Sequence, residues 1–207
     1  MNNPYSYKLT EEIARWAFEI KIEENSDWFI AFTNPTAGPW KRVTASNDKG
    51  EIGEVYRFSR RETRPDILLY NDKYEVILII EAKDSLSKLI KDSQIEKSAN
   101  VVLNLSNILK NKVENQFWKQ RINYTVIAGL LWGAEEKSTK QERYEAFTLY
   151  ESYLSNNEDL CSPIMVGIES LVNKKGEINC LGYLSHPGNF YKGLTGTNLL
   201  ESLAVLY

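Results

Sequence analysis

At 207 residues the chain is the size of one ordinary domain, and 43% apolar with 26% charged residues makes it globular rather than disordered. Its formal net charge of −3 does not mark out a nucleic-acid binder, yet backbone recognition rests on local basic patches and survives this test. Two cysteines, Cys161 and Cys180, build neither a disulfide framework nor a zinc cluster, and the single His186 excludes nucleases and hydrolases held together by several histidines.

The opening, MNNPYSYKLTEE, has neither the basic start nor the apolar stretch of a secretory signal, and no apolar run approaches the ~18 to 20 residues of a membrane span. A cytoplasmic protein without a membrane partner is the expectation. From Thr10 to about Lys21 the pattern is helical: Thr10 caps, acids follow, and Ile13, Trp16, Ala17 and Ile20 share a face, with Glu12 and Glu19 on its flank. Asp27–Thr33 reads as a short strand or a helix extension. The stretch from Thr33 to Glu54 is rich in Pro, Gly, Asn and Ser and reads as a long loop.

Glu54–Ser59 alternates as a strand, and Asp66–Tyr70 with Tyr74–Ala82 reads as a hairpin turned around Asn71–Lys73. The second arm contains VILII, apolar on both faces, and is therefore expected at the centre of a sheet covered on both sides. Ser85 is a cap for a long helix to about Lys110, with a break expected near Ser98–Asn100. Asn123–Trp132 reads as a buried strand, and Thr139 to Leu154 as a helix. Pro163–Val172 and Glu177–Tyr183 read as a late hairpin turned by Asn173–Gly176, before a Gly-rich tail and a short apolar helix at Leu199–Leu206. The order of elements predicts a single α/β domain over 1–207, a central mixed β-sheet flanked by helices. Residues 133–207 supply further strands and helices to it.

The hairpin carries the chemistry. A two-residue turn at Asp72–Lys73 sets Asp66 opposite Ile79; a turn at Lys73–Tyr74 sets it opposite Glu81. In both registers the two carboxylates are direct or diagonal neighbours, with Cβ atoms roughly 5 to 8 Å apart. Alternation adds Lys83 to the face of Glu81 and sends Ala82 to the other. Two acids and a lysine at one edge suit a hard, oxygen-seeking Mg²⁺ and metal-assisted phosphodiester hydrolysis. A nucleotide hydrolase would need a G-x-x-x-x-G-K-[ST] loop, which the chain lacks.

Pro65-Asp66, a spacing of fifteen, then Glu81-Ala82-Lys83 resembles the signature of the PD-(D/E)xK nuclease superfamily, the restriction-endonuclease-like fold. In order of elements the resemblance covers roughly residues 10–132. It implies that Asp66 and Glu81 ligate Mg²⁺, that Lys83 positions the nucleophile, and that a first-helix glutamate, Glu12 or else Glu19, joins them. Gln94 is the candidate for a glutamine that some members place early in the next helix. The implied activity is a type II restriction endonuclease acting on double-stranded DNA as a homodimer. A structure-specific resolvase or repair nuclease and a non-catalytic binding module of the same fold are the alternatives. Arg57, Arg60, Arg61 and Arg64 precede Asp66 and read either as phosphate contacts or as a solvated turn balanced by Glu54 and Glu62; Lys41 and Arg42 in the long loop are further DNA-binding candidates.

Overall fold

Aliphatic and β-branched residues crowd into two short runs, ILLYN and VILIIEAK, and both become strands of one seven-stranded mixed sheet. The computed structural model describes residues 28–33, 65–91, 93–111, 116–134, 137–155, 165–172, 178–186 and 189–195. The strands are β1 (Phe29–Thr33), β2 (Ile67–Asn71), β3 (Val76–Lys83), β4 (Thr125–Ala134), β5 (Met165–Val172), β6 (Ile178–His186) and β7 (Asn189–Thr195), and they lie side by side in chain order. β1, β2 and β3 form an antiparallel meander, β3, β4 and β5 run parallel, and β6 and β7 return antiparallel. The sheet is thus mixed, as expected, and no described helix is long and apolar enough to cross a membrane. The candidate strand at Glu54–Ser59 and the helices at Thr10–Lys21 and Leu199–Leu206 lie outside the described residues.

Parallel neighbours need crossovers, and helices supply them. Between β3 and β4 run α1 (Leu86–Lys91), α2 (Gln94–Asn111) and the short α3 (Gln116–Lys119); between β4 and β5 runs α4 (Lys140–Leu154). In α2 the buried positions Ile95, Ala99, Val102, Leu105 and Leu109 follow the 3.6-residue period, and in α4 Arg143, Ala146, Phe147, Tyr150 and Leu154 do the same. Both stripes close on one sheet face, where Leu68, Tyr70, Ile77, Ile79, Ala128 and Leu130 form the core. Each such aliphatic side chain, removed from water, contributes about 1.5 to 3 kcal/mol. The opposite face, with Leu78, Ile80 and Leu131, is equally dry. β3 is therefore buried on both faces, as its unbroken VILII run predicts.

The structure corrects one detail and decides two others. The long helix breaks at Ser93, whose φ of 52° is left-handed, and not near Ser98–Asn100. A non-glycine residue in that region stops a right-handed helix, whereas Ser98 and Ala99 are small enough to bury inside α2, and α2 packs against α4. Of the stretch Asp27–Thr33, open between strand and helix in the sequence, Phe29–Thr33 is the strand β1. The Gly-rich tail contributes strand: Ser185 and His186 end β6, and Asn189–Thr195 forms β7, with Gly193 opposite Tyr183. The late strands pair antiparallel as read, with Val172 opposite Ile178, and their turn at Asn173–Gly176 lies outside the described residues.

Candidate metal centre

The hairpin register decides the site. Asn71 pairs with Val76 and Ile67 with Ile80, so the next rung outward sets Asp66 beside Glu81, the second of the two registers open to the sequence. The turn is wider than two residues. Asn71 Oδ1 accepts from the backbone N–H groups of Lys73 and Tyr74 (3.1 and 3.2 Å), and Glu75 takes a positive φ of 55° to re-enter the ladder. Arg121 then grips the turn, donating through Nε and Nη2 to both carboxylate oxygens of Asp72 (2.8 and 2.7 Å). Thr125 N–H donates to Glu75 O, so the start of β4 is stitched to the same loop.

At the other end of the hairpin, Asp66 continues the ladder with its side chain. Its N–H donates to Ile80 O (3.1 Å), and its Oδ2 accepts from Ala82 N–H at 2.7 Å. Pleat alternation then sets Asp66, Glu81 and Lys83 on the helix-covered face and Ala82, fully buried, on the other. Lys83 Nζ lies 3.6 Å from Glu81 Oε2 and 3.9 Å from Asp66 Oδ2, and it donates to Ala82 O at 2.9 Å. One ammonium thus bridges two carboxylates that are almost wholly out of water, while the lysine side chain itself remains a quarter exposed.

Burial is the main reason that the Glu81 carboxyl is pushed up to about 8; the neighbouring Asp66 charge raises it further, and Lys83 opposes both. Glu81 Oε1 is buried with no hydrogen-bond partner. A buried carboxylate oxygen left without a partner at a two-acid edge fits a cation: the donors are hard oxygens, and Mg²⁺ takes one or two carboxylates and completes its shell with water. Among the described residues no set of three or more His, Cys, Asp or Glu side chains converges, so a metal held wholly by protein ligands finds no such set there. Ser85 follows the site and caps α1 by accepting from Lys88 N–H at 3.4 Å, so the chain turns into a helix directly after Lys83.

Comparison with known proteins finds no matching family model, no similar curated protein and no similar solved structure. The chain's own geometry therefore carries the functional argument.

Asp66, Glu81 and Lys83 are brought together, as the hairpin argument requires. Gln94 stands at the first position of α2, half buried. Glu12, Glu19, Lys41, Arg42, Arg57, Arg60, Arg61 and Arg64 lie outside the described residues.

A second buried acid had no part in the sequence argument. Glu169 of β5 is fully buried on the same sheet face, one strand beyond Trp132, which is itself opposite Lys83. Its Oε1 accepts from Trp132 Nε1 and from Ser138 N–H, and its Oε2 from the Tyr183 hydroxyl, each at 2.8 Å. Burial, reinforced by this last bond, holds the Tyr183 hydroxyl well above the usual phenol range. Arg143 covers the Tyr183 ring at 4.5 Å and donates to Ser138 O and Oγ. Gly167 leaves room for this arrangement: a Cβ there would meet Trp132 Cη2 at 2.7 Å and Phe147 Cζ at 2.6 Å. Glu169 joins the carboxyl end of β4, the start of α4 and β6, and with three donors it is a satisfied structural acid. The legible signal was one charge in an otherwise apolar strand, MVGIESLV; the distant donors were not readable.

Proposed function

We propose that this protein is a Mg²⁺-dependent endonuclease acting on double-stranded DNA, in the manner of a type II restriction enzyme with a restriction-endonuclease-like fold. The observation that carries the reading is the convergence of Asp66, Glu81 and Lys83 at the carboxyl end of a buried strand, with Glu81 Oε1 lacking a protein partner. Asp66 and Glu81 would hold the ion. A divalent cation in such a place neutralises charge on phosphoryl oxygens and makes water a stronger nucleophile. Lys83, whose ammonium already faces both carboxylates, would orient the attacking water and stabilise the charge that grows on phosphorus. Attack forms the new P–O bond in line with the departing sugar oxygen, which leaves with a proton from solvent. A homodimer would bring two such sites to the two strands of a palindrome.

The test is incubation of the purified protein with plasmid and phage DNA and Mg²⁺. Discrete fragments from the parent and none from Asp66→Ala or Lys83→Ala are expected. Cleavage by either variant at the parental rate would sink the reading. One observation favours a second reading: Asp66 Oδ2 and Lys83 Nζ both bond to the Ala82 backbone, as residues that merely finish a ladder would. The domain would then bind DNA without cutting it, and the same assay, run beside a binding measurement, separates the two.

A further inference from the structure

The aliphatic packing of the β2–β3 hairpin does not by itself choose its register. Slipping β2 along β3 by one residue would turn its side chains to the wrong face, but slipping it by two keeps each on its own. Ile67, Leu68 and Leu69 would then oppose Leu78, Ile77 and Val76 in place of Ile80, Ile79 and Leu78, aliphatic against aliphatic in both registers. All five positions of β2 are buried, so neither arrangement is favoured by an exposed side. Among the described strands β1 pairs with β2 alone and can travel with it. The candidate centre, by contrast, depends on the choice. The slip sets Asp66 opposite Ile79, breaks its 2.7 Å bond from Ala82 N–H, and moves it about 7 Å along the strand from Glu81 and Lys83.

One residue braces β2 against that slip from outside the hairpin. The parallel ladder that begins with Val76 opposite Thr125 locks β4 to β3. Arg121 stands four residues before Thr125, where its N–H donates to Trp118 O and its carbonyl accepts from Tyr124 N–H (2.9 and 3.0 Å). From that frame its guanidinium lies 4.6 Å from the centre of the Tyr70 ring of β2 and donates to both carboxylate oxygens of Asp72. The Tyr124 hydroxyl adds a further bond to Asp72 Oδ1 at 2.9 Å. A two-pronged bond between opposite charges is of the stronger kind, and the arginine is nearly buried. A two-residue slip would draw Asp72 and Tyr70 about 7 Å out of this grip.

Resting on the Mg²⁺ reading above, we propose that Arg121, at the far end of the hairpin, is a positioning residue of the metal centre. By holding Asp72 and Tyr70 to the β3–β4 frame it selects the register in which Asp66 stands beside Glu81. Without it part of the population slips, and the apparent affinity for the ion falls with the fraction of molecules that stays competent. An arginine that merely stabilised the turn behaves otherwise. Its loss would lower the melting temperature and leave one register and one affinity.

The experiment compares the full-length parent with Arg121→Met, which keeps the apolar stem and removes the guanidinium. Cross-strand nuclear Overhauser contacts read the register, Ile67 facing Ile80 in the native hairpin and Leu78 in the slipped one. Calorimetric titration with Mg²⁺ alone reads the affinity. The variant is expected to show both contacts, with a dissociation constant raised about fivefold where the native register falls to about one-fifth, and saturating Mg²⁺ should restore the native contact. A variant that shows the native contact alone, or whose constant stays within twofold of the parent's, overturns the inference while leaving the metal centre standing. A parent that binds no Mg²⁺ overturns both. Should Arg121→Met fail to fold, Asp72→Asn breaks the same ion pair from its half-exposed side and is read by the same two measurements.

Discussion

Replacing Glu81 by glutamine should make the metal-free protein more stable at neutral and alkaline pH even as it destroys the site. The carboxyl has an ordinary value of 4.5 and is raised to about 8 in the fold, chiefly by burial. The native state therefore binds the proton more tightly than the unfolded chain does. For such a group stability is greatest below the unfolded value, falls as pH rises from about 4.5, and levels off above about 8. At about 1.4 kcal/mol per unit, the parent has lost roughly 3 kcal/mol to this carboxyl at pH 7 and roughly 5 kcal/mol beyond pH 8, relative to its stability below pH 4.5. Urea denaturation in EDTA at pH 5, 7 and 8.5 reads this directly. Because other groups titrate over the same range, the informative quantity is the difference in slope between parent and Glu81→Gln. The parent should lose several kcal/mol more than the variant between pH 5 and 8.5. Mg²⁺ at about 100 times its dissociation constant should restore roughly 3 kcal/mol to the parent and nothing to the variant. Parallel pH profiles in EDTA would refute the reasoning, since they would mean that Glu81 ionises without penalty.

Three further outcomes follow from particular contacts. Lys83→Ala should keep Mg²⁺ binding, because both carboxylates remain and a competing ammonium is gone, while plasmid cleavage falls about 100-fold or more; calorimetry and a gel assay on one preparation check the split. Glu169→Ala strips the acceptor from Trp132 Nε1, Ser138 N–H and the Tyr183 hydroxyl; a loss of roughly 3 to 5 kcal/mol is expected in urea melts, and one below about 1 kcal/mol would contradict the role given to it. Thr139 caps α4 through a reciprocal pair, with its Oγ1 accepting from Glu142 N–H and Glu142 Oε2 accepting from Thr139 N–H. Thr139→Ala should cost about 1 kcal/mol at pH 7. The bonds from Thr139 hold Glu142 below its ordinary value, so the stability that this acid contributes is present above pH 4.5 and fades as pH falls.

How much was written in the chain varies from feature to feature. The period-2 pleat and the distance from Asp66 to Glu81 made those residues neighbours under any short turn, and Lys83 follows two residues on. Those facts are local, so sequence alone reached them. The helix from about Thr139 to Leu154 and the doubly buried strand β3, whose unbroken aliphatic run admits little else, were reached in the same way, whereas the reciprocal cap at Thr139 came only with the structure. The choice between the two registers was not local. It fell to a four-residue turn held by Asn71, with Asp72 clamped by Arg121, about fifty positions along the chain. The break at Ser93 turned on a single left-handed residue, and β7 on an edge partner that sequence spacing does not announce.

The sequence by itself determined that two acids and a lysine gather on one face at the end of a strand, because alternation and hairpin geometry are properties of a few consecutive residues. Only the tertiary structure decided what that gathering is worth. Helices α1, α2 and α4 close over the face, water leaves, and Glu81 is driven toward its neutral form. Desolvation and long-range charge depend on everything packed around a group, and no run of neighbouring residues encodes that.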